Sequence, residues 1–289
     1  MTFWEARFLW EEPMLAAVLA SAMLGYLGFF VVLRRIAFMS AALSQVSGLG
    51  VASAFLAGSY AGITPHSETP LWLNPSLWAL VFACLGAAAM GLPARSRRVT
   101  PESAVALAYL AASAFVLLVL ANPRIAQEAH EIGDLLFGNA VVVRRQDLWN
   151  LGFTGLLVLL VHGLLFRSFL FASFDSDTAR VSGVPVRGVE LVLHLSLAVA
   201  VAAATRALGA LPVFSFLVLP AGAALLFSER LRIVLLLSVL IAVFSGAGGY
   251  ALSWALSLPT GSVMVALGVG MWGVAGLKRL VEIRLGRES

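Results

Sequence analysis

Charged residues and cysteines are both scarce in this chain of 289 residues. Asp, Glu, Lys and Arg make up 12% of it and hydrophobic residues 61%, whereas soluble domains carry about 25% charged residues. A water-soluble fold of this size has no means of burying so much apolar surface, so the composition indicates a protein whose solvent is the lipid bilayer. The single cysteine, Cys84, excludes a disulfide framework and a zinc site made of thiolates.

Motifs of the common enzyme classes are absent from the sequence as well. It has no G-x-x-x-x-G-K-[ST] phosphate loop, so we expect no ATP hydrolysis by that route, and no H-E-x-x-H or paired-cysteine metal motif. His162 and His194 fall in apolar runs, where the preferred interpretation is a buried histidine with its polar atoms satisfied. The net charge of +4 comes from short loops, which is typical of membrane proteins and does not indicate a nucleic-acid partner. We therefore predict a chain that is not an enzyme and has no catalytic residue.

What the sequence has in abundance is apolar segments long enough to cross a bilayer, which takes about 20 residues each. About nine such segments occur, with eight as the alternative count, so the predicted fold class is an all-α polytopic membrane protein. We treat residues 1–289 as a single transmembrane domain. The predicted spans are Met14–Leu33, Phe38–Gly58, Ser76–Leu92, Glu102–Ala121, Leu148–Phe169, Val189–Leu208, Pro212–Phe227, Ile233–Ser257 and Gly261–Leu280.

The positions of Lys and Arg predict the orientation of these spans, because cytoplasmic loops carry an excess of both residues. Most of them fall on one side if the odd-numbered spans run inward. Arg124 and the pair Arg144–Arg145 fall on the other side and weaken this pattern without reversing it. The N-terminus is therefore predicted outside and the C-terminus in the cytoplasm.

The second predicted span carries an unusual polar stripe. Ser40, Ser44 and Ser47 share one helical face at spacings i, i+4 and i+7, and Gln45 lies beside them. Small residues of this kind let helix backbones approach closely, so tight packing is one interpretation. The lining of a polar pathway is the other.

A short polar stretch, "HEIGDLLFGN", follows the fourth span. It is too short to cross a membrane, so a re-entrant or interfacial helix is predicted. Glu131 and Asp134 share a face, and with Asn139 they would place acceptors at an outer mouth, where acidic groups concentrate cations. The solvated face of a surface helix is the alternative.

The stretch Phe174–Gly188, "FDSDTARVSGVPVRG", lies on the predicted cytoplasmic side. Its residues predict one short helix capped at Asp175 or Ser176 and ended by Gly183. A short polar helix between two long spans indicates a docking element, with an ordinary loop as the alternative.

Five stretches in order resemble the permease subunits of ATP-binding-cassette importers for zinc, manganese and iron. "GYLGFFVVLRRIAFMSAALSQVSGLGVA" is similar to the first loop and second helix of that family, and "DLLFGN" to its Y-L-F-G-[DN] element. "FDSDTARVSGVPV" is similar to the segment that engages the ATPase. "LGALPVFSFLVLPAGAALL" and "LSLPTGSVMVAL" resemble two elements near the end of the family.

The resemblance implies a type II importer-like permease bundle in the bacterial cytoplasmic (inner) membrane, multi-pass and surrounded by lipid. It implies a homodimer, ATPase subunits that bind ATP and Mg, and an external metal-binding protein. The cargo would be a divalent metal ion, and no cofactor would be bound by this chain. ATPase coupling would fall to the segment 174–188, at Asp175, Ala179, Arg180, Gly183, Val184 and Pro185.

This sequence departs from the family at the expected metal ligands. The family carries an aspartate and, four residues later, a histidine in its second helix, and those positions hold Ala41 and Gln45 here. Alanine offers no ligand, and glutamine offers one neutral carbonyl oxygen in place of imidazole. Gln45 and Asp134 are left as the candidates for a metal contact, and the metal-ligand set itself is unknown.

Four functions stay open at this point. The preferred one is a metal-ion importer in which the ion is bound loosely or at another place. The alternatives are the same fold importing a metal chelate or other small solute, an ATP-independent carrier or channel, and a subunit that has lost transport.

Overall fold

The structure is a computed structural model that describes residues 7–62, 70–91, 100–125, 143 and 145–285. These residues form ten α-helices and two short 3-10 turns, without a β-strand among them. The helices are α1 (Arg7–Leu33), α2 (Ala37–Tyr60), α3 (Pro75–Gly91), α4 (Pro101–Leu120), α5 (Arg145–Phe174), α6 (Ser176–Val181), α7 (Val186–Leu208), α8 (Ala210–Phe227), α9 (Leu231–Leu256) and α10 (Thr260–Arg284).

Eight of these helices are long and apolar enough to cross a membrane, namely all except α3 and α6. Helix α3 is apolar but has only 17 residues. At 1.5 Å per residue it measures about 26 Å, slightly less than the hydrocarbon core. A helix therefore stands at each of the nine predicted spans, and the predicted all-α membrane fold is confirmed.

Local capping explains where several helices begin and end. Thr100 precedes α4, and its hydroxyl oxygen accepts a hydrogen bond from the amide of Ser103 at 3.2 Å, with proline in the first helical position. Helix α1 ends at Leu33, after which Arg35 adopts a positive φ of 59°. The amide of Ile36 then donates to the carbonyl of Val31, which is the pattern of a Schellman motif.

The helices form two compact units. The first contains α1, α8, α9, α10 and the part of α5 up to Gly152. Within it, α1 and α10 each pack against α8 and α9. Their backbones approach closely: a Cβ at Gly28 would lie 2.6 Å from the carbonyl oxygen of Leu217. The Ser238 hydroxyl donates to the carbonyl of Gly25 at 2.7 Å, so α1 and α9 are also joined by an interhelical hydrogen bond.

The second unit contains α2, α3, α4, the part of α5 from Phe153 on, α6 and the part of α7 up to Arg206. Helix α2 lies against α3 at Gly50, where an added Cβ would lie 2.6 Å from the carbonyl oxygen of Trp78. It also joins α4 in an apolar cluster built on Ala52, Val116 and Ile125. These contacts fix α2, which carries the polar stripe.

Candidate functional site

The polar stripe of α2 is buried as well as polar. The side chains of Ser40, Ser44 and Ser47 have 0%, 2% and 0% of their surface exposed. The Ser44 hydroxyl donates to the carbonyl of Ser40 at 3.0 Å, which satisfies it within its own helix. Ser47 differs, because its hydroxyl oxygen has no hydrogen-bond partner in the part of the chain that the structure describes. A buried hydroxyl without a partner is unusual and is a candidate contact for a passing solute.

Ala41 and Gln45 stand one helical turn apart on α2. Ala41 is buried and Gln45 is half-buried. Together they supply a methyl group and a neutral amide, neither of which binds a divalent cation strongly. Among residues 7–62, 70–91, 100–125, 143 and 145–285, no group of three or more His, Cys, Asp or Glu side chains could hold a metal ion. At positions 41 and 45, α2 therefore offers a cation only the neutral amide oxygen of Gln45.

The predicted outer mouth falls in a part of the chain that the structure does not describe. Glu131, Asp134, Asn139 and the short helix predicted around them all lie outside the described residues. Their roles remain predictions from the sequence.

Helix α3 packs against α2 close to the stripe. A Cβ at Gly86 would lie 3.1 Å from a γ carbon of Val46, and Gly50 meets Trp78 on the same pair of helices. On α2 these contacts involve Val46, one residue before Ser47, and Gly50, three residues after it. Helices α2 and α3 are therefore closely packed around Ser47.

The segment after α5 forms the short helix that the sequence predicts. Asp175 has an extended backbone, and its carboxylate accepts hydrogen bonds from the amides of Asp177 and Thr178 at 3.1 Å and 2.9 Å. At the other end, the amide of Val184 donates to the carbonyl of Ala179 and the amide of Gly183 to that of Arg180. These two bonds with φ of +85° at Gly183 make a Schellman motif, whose left-handed position favours a residue without a Cβ.

Helix α6 presents most of its surface to solvent while its inner side is anchored. Ala179 is fully buried, whereas Val181 is 90% exposed. Arg180, Gly183 and Pro185 are exposed and Val184 is half-buried. A single exposed apolar side chain is common on protein surfaces, so the docking role of α6 stays a prediction.

The chain passes from α6 into α7 through a short hydrogen-bonded turn. The amide of Val186 donates to the carbonyl of Val184 at 2.8 Å, and that of Val189 to the carbonyl of Pro185 at 3.0 Å. Val186 and Val189 are both buried. Because the turn is hydrogen-bonded and its first valines are packed, a displacement of α6 is expected to be passed to α7.

Removal of the cap at Asp175 tests this local structure. In the Asp175→Ala variant the amides of Asp177 and Thr178 lose their acceptor, so we expect them to exchange hydrogen faster. Asp175→Asn keeps a side-chain oxygen and should retain most of the protection. Hydrogen–deuterium exchange measured by mass spectrometry on the purified chain checks this. Equal exchange in the alanine variant and the native chain would contradict the capped helix.

The charge state of the cap has a predictable pH dependence. The hydrogen bonds from Thr178 lower the pKa of Asp175, with a smaller contribution from the amide of Asp177. A carboxyl group whose pKa is lowered on folding stabilises the folded state above its ordinary pKa, and this contribution is lost as the pH falls through the lowered value. The cap is therefore fully charged at neutral pH.

One acidic residue near the half-buried His194 was missed by the sequence analysis. Glu190 stands four residues before His194 on α7, so the two share a helical face. His194 also lies against the end of α3, where a Cβ at Gly91 would be 2.6 Å from Nδ1 of the imidazole. The i, i+4 spacing was visible in the sequence, but the contact with α3 was not. His162 is fully buried and stacks on Phe169 of its own helix, with ring centroids 4.4 Å apart.

Comparison with known protein families gives one match that covers nearly the whole chain. The ABC 3 transport family matches residues 8–277. This match includes both the α2 stripe and the α6 segment.

Several curated relatives cover most of the chain. The manganese transport system membrane protein MntC of Halalkalibacterium halodurans is 28% identical over 265 residues, which are 92% of this chain and 85% of that protein. The manganese import system permease protein ScaB of Streptococcus parasanguinis is 26% identical over 255 residues, 88% of this chain and 85% of that protein.

Solved structures show the same fold. The chain is similar to PsaBC from Streptococcus pneumoniae, solved in complex with Fab, with a TM-score of 0.79, 21% identity and coverage of 94% of both chains. It is also similar to an inward-facing ABC transporter assigned to the metal-chelate type. That likeness has a TM-score of 0.74 and 16% identity, and covers 95% of this chain and 88% of the other.

Proposed function

This chain belongs to the ABC 3 transport family, and from that premise we propose that it is the membrane-spanning permease subunit of an ATP-driven importer for divalent metal ions. Manganese is the first ion to test, because the MntC and ScaB relatives are named for manganese transport and manganese import. The chain itself is a transport subunit and not an enzyme. Zinc and iron are the other ions that the sequence resemblance implies.

The observation that carries this proposal is the capped helix α6. It stands between two long apolar helices, exposes Val181 and continues into α7 through a hydrogen-bonded turn. Since the sequence contains no phosphate loop, ATP and Mg would bind to a separate ATPase subunit, with α6 in a groove of that subunit. ATP binding and hydrolysis there would drive alternating access, and α7 would transmit the movement.

The complete importer would contain further subunits. An external metal-binding protein would deliver the ion at the outer mouth, and two copies of the permease would line one pathway. In the cytoplasmic membrane the C-terminus would face the cytoplasm, where Arg230 and Arg232 at the start of α9 and the cationic end of α10 would lie. The family match and the distribution of Lys and Arg support this arrangement.

The neutral stripe of α2 favours weak binding of the ion within the membrane. Ser47 and Gln45 can contact a cation through neutral oxygens, so selectivity would rest on the external binding protein. Transport requires that the ion leave as well as enter, and a weak site is compatible with flux. The same stripe favours a second candidate function, the import of a metal chelate, because a neutral complex needs no anionic ligand.

Placing ligands on α2 tests whether the stripe is the route. An Ala41→Asp, Gln45→His double variant puts a carboxylate and an imidazole on one helical face. We expect the affinity of the purified chain for Mn²⁺ to rise about tenfold or more. Equilibrium binding followed by the Mn²⁺ electron paramagnetic resonance signal measures this.

The matched control separates charge from size. Ala41→Asn has nearly the same volume as the aspartate variant and no charge, so it should leave Mn²⁺ affinity unchanged. Because Ala41 is buried and an aspartate there could prevent folding, the single variant Gln45→His is measured alongside. Unchanged affinity in both well-folded histidine variants would exclude positions 41 and 45 from the ion route.

A further inference from the structure

One side chain of α7 lies directly against the end of α3. His194 is half-buried, and its imidazole ring meets Gly91, the last residue of α3. A Cβ built at Gly91 would lie 2.6 Å from Nδ1, 3.5 Å from Cε1 and 3.7 Å from Cγ of that ring. A carbon atom does not fit at 2.6 Å, so the ring in this position occupies space that only a glycine leaves free.

His194 follows closely on the short helix α6 along the chain. Helix α7 begins at Val186, directly after the hydrogen-bonded turn that follows α6, and His194 is its ninth residue. At 1.5 Å per residue, these two residues of α7 are about 12 Å apart along the helix axis. Val186, Val189 and Leu193 are buried, so this part of α7 is packed along one side. A displacement of α6 would therefore reach His194 through about two turns of packed helix.

Helix α3 connects this contact with the polar stripe of α2. Gly86 lies five residues before Gly91, which is about 7.5 Å along the axis of α3. A Cβ at Gly86 would lie 3.1 Å from Cγ1 of Val46, the residue next to Ser47 on α2. The same helix α3 therefore touches His194 at its end and α2 beside the unpartnered hydroxyl of Ser47 within the described residues.

We propose that His194 is a positioning residue for coupling, through which a displacement of α7 is passed to α3 and from α3 to the stripe of α2. This inference rests on the proposed function, in which α6 docks on an ATPase and α7 moves with it. Helices α2, α3 and α6 and this part of α7 belong to one compact unit, so each step of the route lies within that unit. A ring packed against a glycine leaves no gap to absorb a displacement, because close-packed interiors transmit strain.

The test measures the number of ions taken up per ATP hydrolysed. Proteoliposomes contain the permease with its ATPase and external binding protein, and Mn²⁺ is the ion. His194→Ala leaves a gap between α7 and α3, so we expect uptake per ATP to fall about fivefold while ATP hydrolysis continues. A residue that only stabilises the fold would lower the amount of active complex and leave this ratio unchanged. His194→Phe keeps a ring against Gly91 and should retain most of the native ratio.

A double variant tests whether the effect comes from the contact with Gly91. Gly91→Ala places a methyl group where the ring lies, so the ring has to turn away and uptake per ATP should fall. Once the ring is removed, the methyl group has room, so Gly91→Ala combined with His194→Ala should lose no more than His194→Ala alone. Gly163→Ala is the control, because Gly163 is a helical glycine of the same unit that meets no atom within 4 Å. It should keep the native ratio.

The outcomes separate this inference from the proposed function. A native complex without ATP-driven uptake of the ion would contradict the proposed function before any variant is compared. With an active native complex, a native ratio in His194→Ala, or losses that add in the double variant, would overturn the role of His194. Should His194→Ala fail to fold, the other two single variants decide. A native ratio in Gly91→Ala, or a fivefold loss in His194→Phe, would then overturn it.

Discussion

Replacement of Gly183 by valine is expected to abolish most of the ATP-driven uptake while leaving the membrane helices folded. Gly183 has φ of +85° and meets no atom within 4 Å of a built Cβ, so the obstacle is backbone conformation and not space. A residue with a Cβ pays about 1–2 kcal/mol in this region, and relief through a negative φ would break the two hydrogen bonds that end α6. The population of the docking conformation should therefore fall about 5- to 30-fold.

The measurement is ATP-dependent uptake by proteoliposomes containing the permease with its ATPase and external binding protein. Gly163→Val is the control, because Gly163 is also open but lies in the helical backbone of α5. Gly183→Asn should retain more uptake than Gly183→Val, since asparagine tolerates the left-handed region. Full ATP-driven uptake in Gly183→Val would argue against a coupling role for α6.

Replacement of Gly50 by alanine is expected to destabilise the second unit. The added methyl would lie 2.6 Å from the carbonyl oxygen of Trp78 and 3.0 Å from Cα of Ala79, both backbone atoms that can move only with α3. Overpacking of this kind costs about 1–3 kcal/mol. We expect a lower midpoint of thermal unfolding in detergent, followed by tryptophan fluorescence.

The control variant, Gly152→Ala, is not expected to lower the unfolding midpoint. Gly152 lies inside α5 and meets no atom within 4 Å, so Gly152→Ala relieves the poor helix propensity of glycine by up to about 1 kcal/mol. Its unfolding midpoint should equal or exceed that of the native chain. A Gly50→Ala variant as stable as Gly152→Ala would contradict the close approach of α2 and α3.

The membrane helices were predictable because about 20 apolar residues in a row have few alternatives in a protein. The ends of these helices were less predictable from the sequence. Helix α5 begins at Arg145 and ends at Phe174, while hydropathy alone placed it between Leu148 and Phe169. The first turn of α5 is polar, and its last turn ends one residue before the Asp175 cap. Both turns are held by backbone hydrogen bonds, which hydropathy does not measure.

The local structure of the candidate site was partly predictable for a similar reason. Asp175 and Gly183 act on residues near them in sequence, so the short helix and its two ends could be predicted, although the docking role stays a prediction. The contact of Gly50 with Trp78 and that of His194 with Gly91 depend on which helices become neighbours. A single sequence does not show directly which helices become neighbours.

The absence of strong ligands at positions 41 and 45 of α2 is the departure from the family resemblance that the sequence analysis identified. Ala41 and Gln45 were identified from the sequence, and the structure adds that Ala41 is buried and that Ser47 has no partner in its described surroundings. These observations support the proposal of an importer that passes its ion through neutral contacts.

Uptake of free Mn²⁺ by the native chain tests that account most directly. The chain is reconstituted with its ATPase and external binding protein, and accumulation is followed with hydrolysable ATP, with a non-hydrolysable analogue, and with the ion free or chelated. The account predicts accumulation of free Mn²⁺ that requires ATP hydrolysis, although Ala41 and Gln45 replace the stronger ligands. Accumulation of the chelate alone, or of the free ion without ATP hydrolysis, would contradict it.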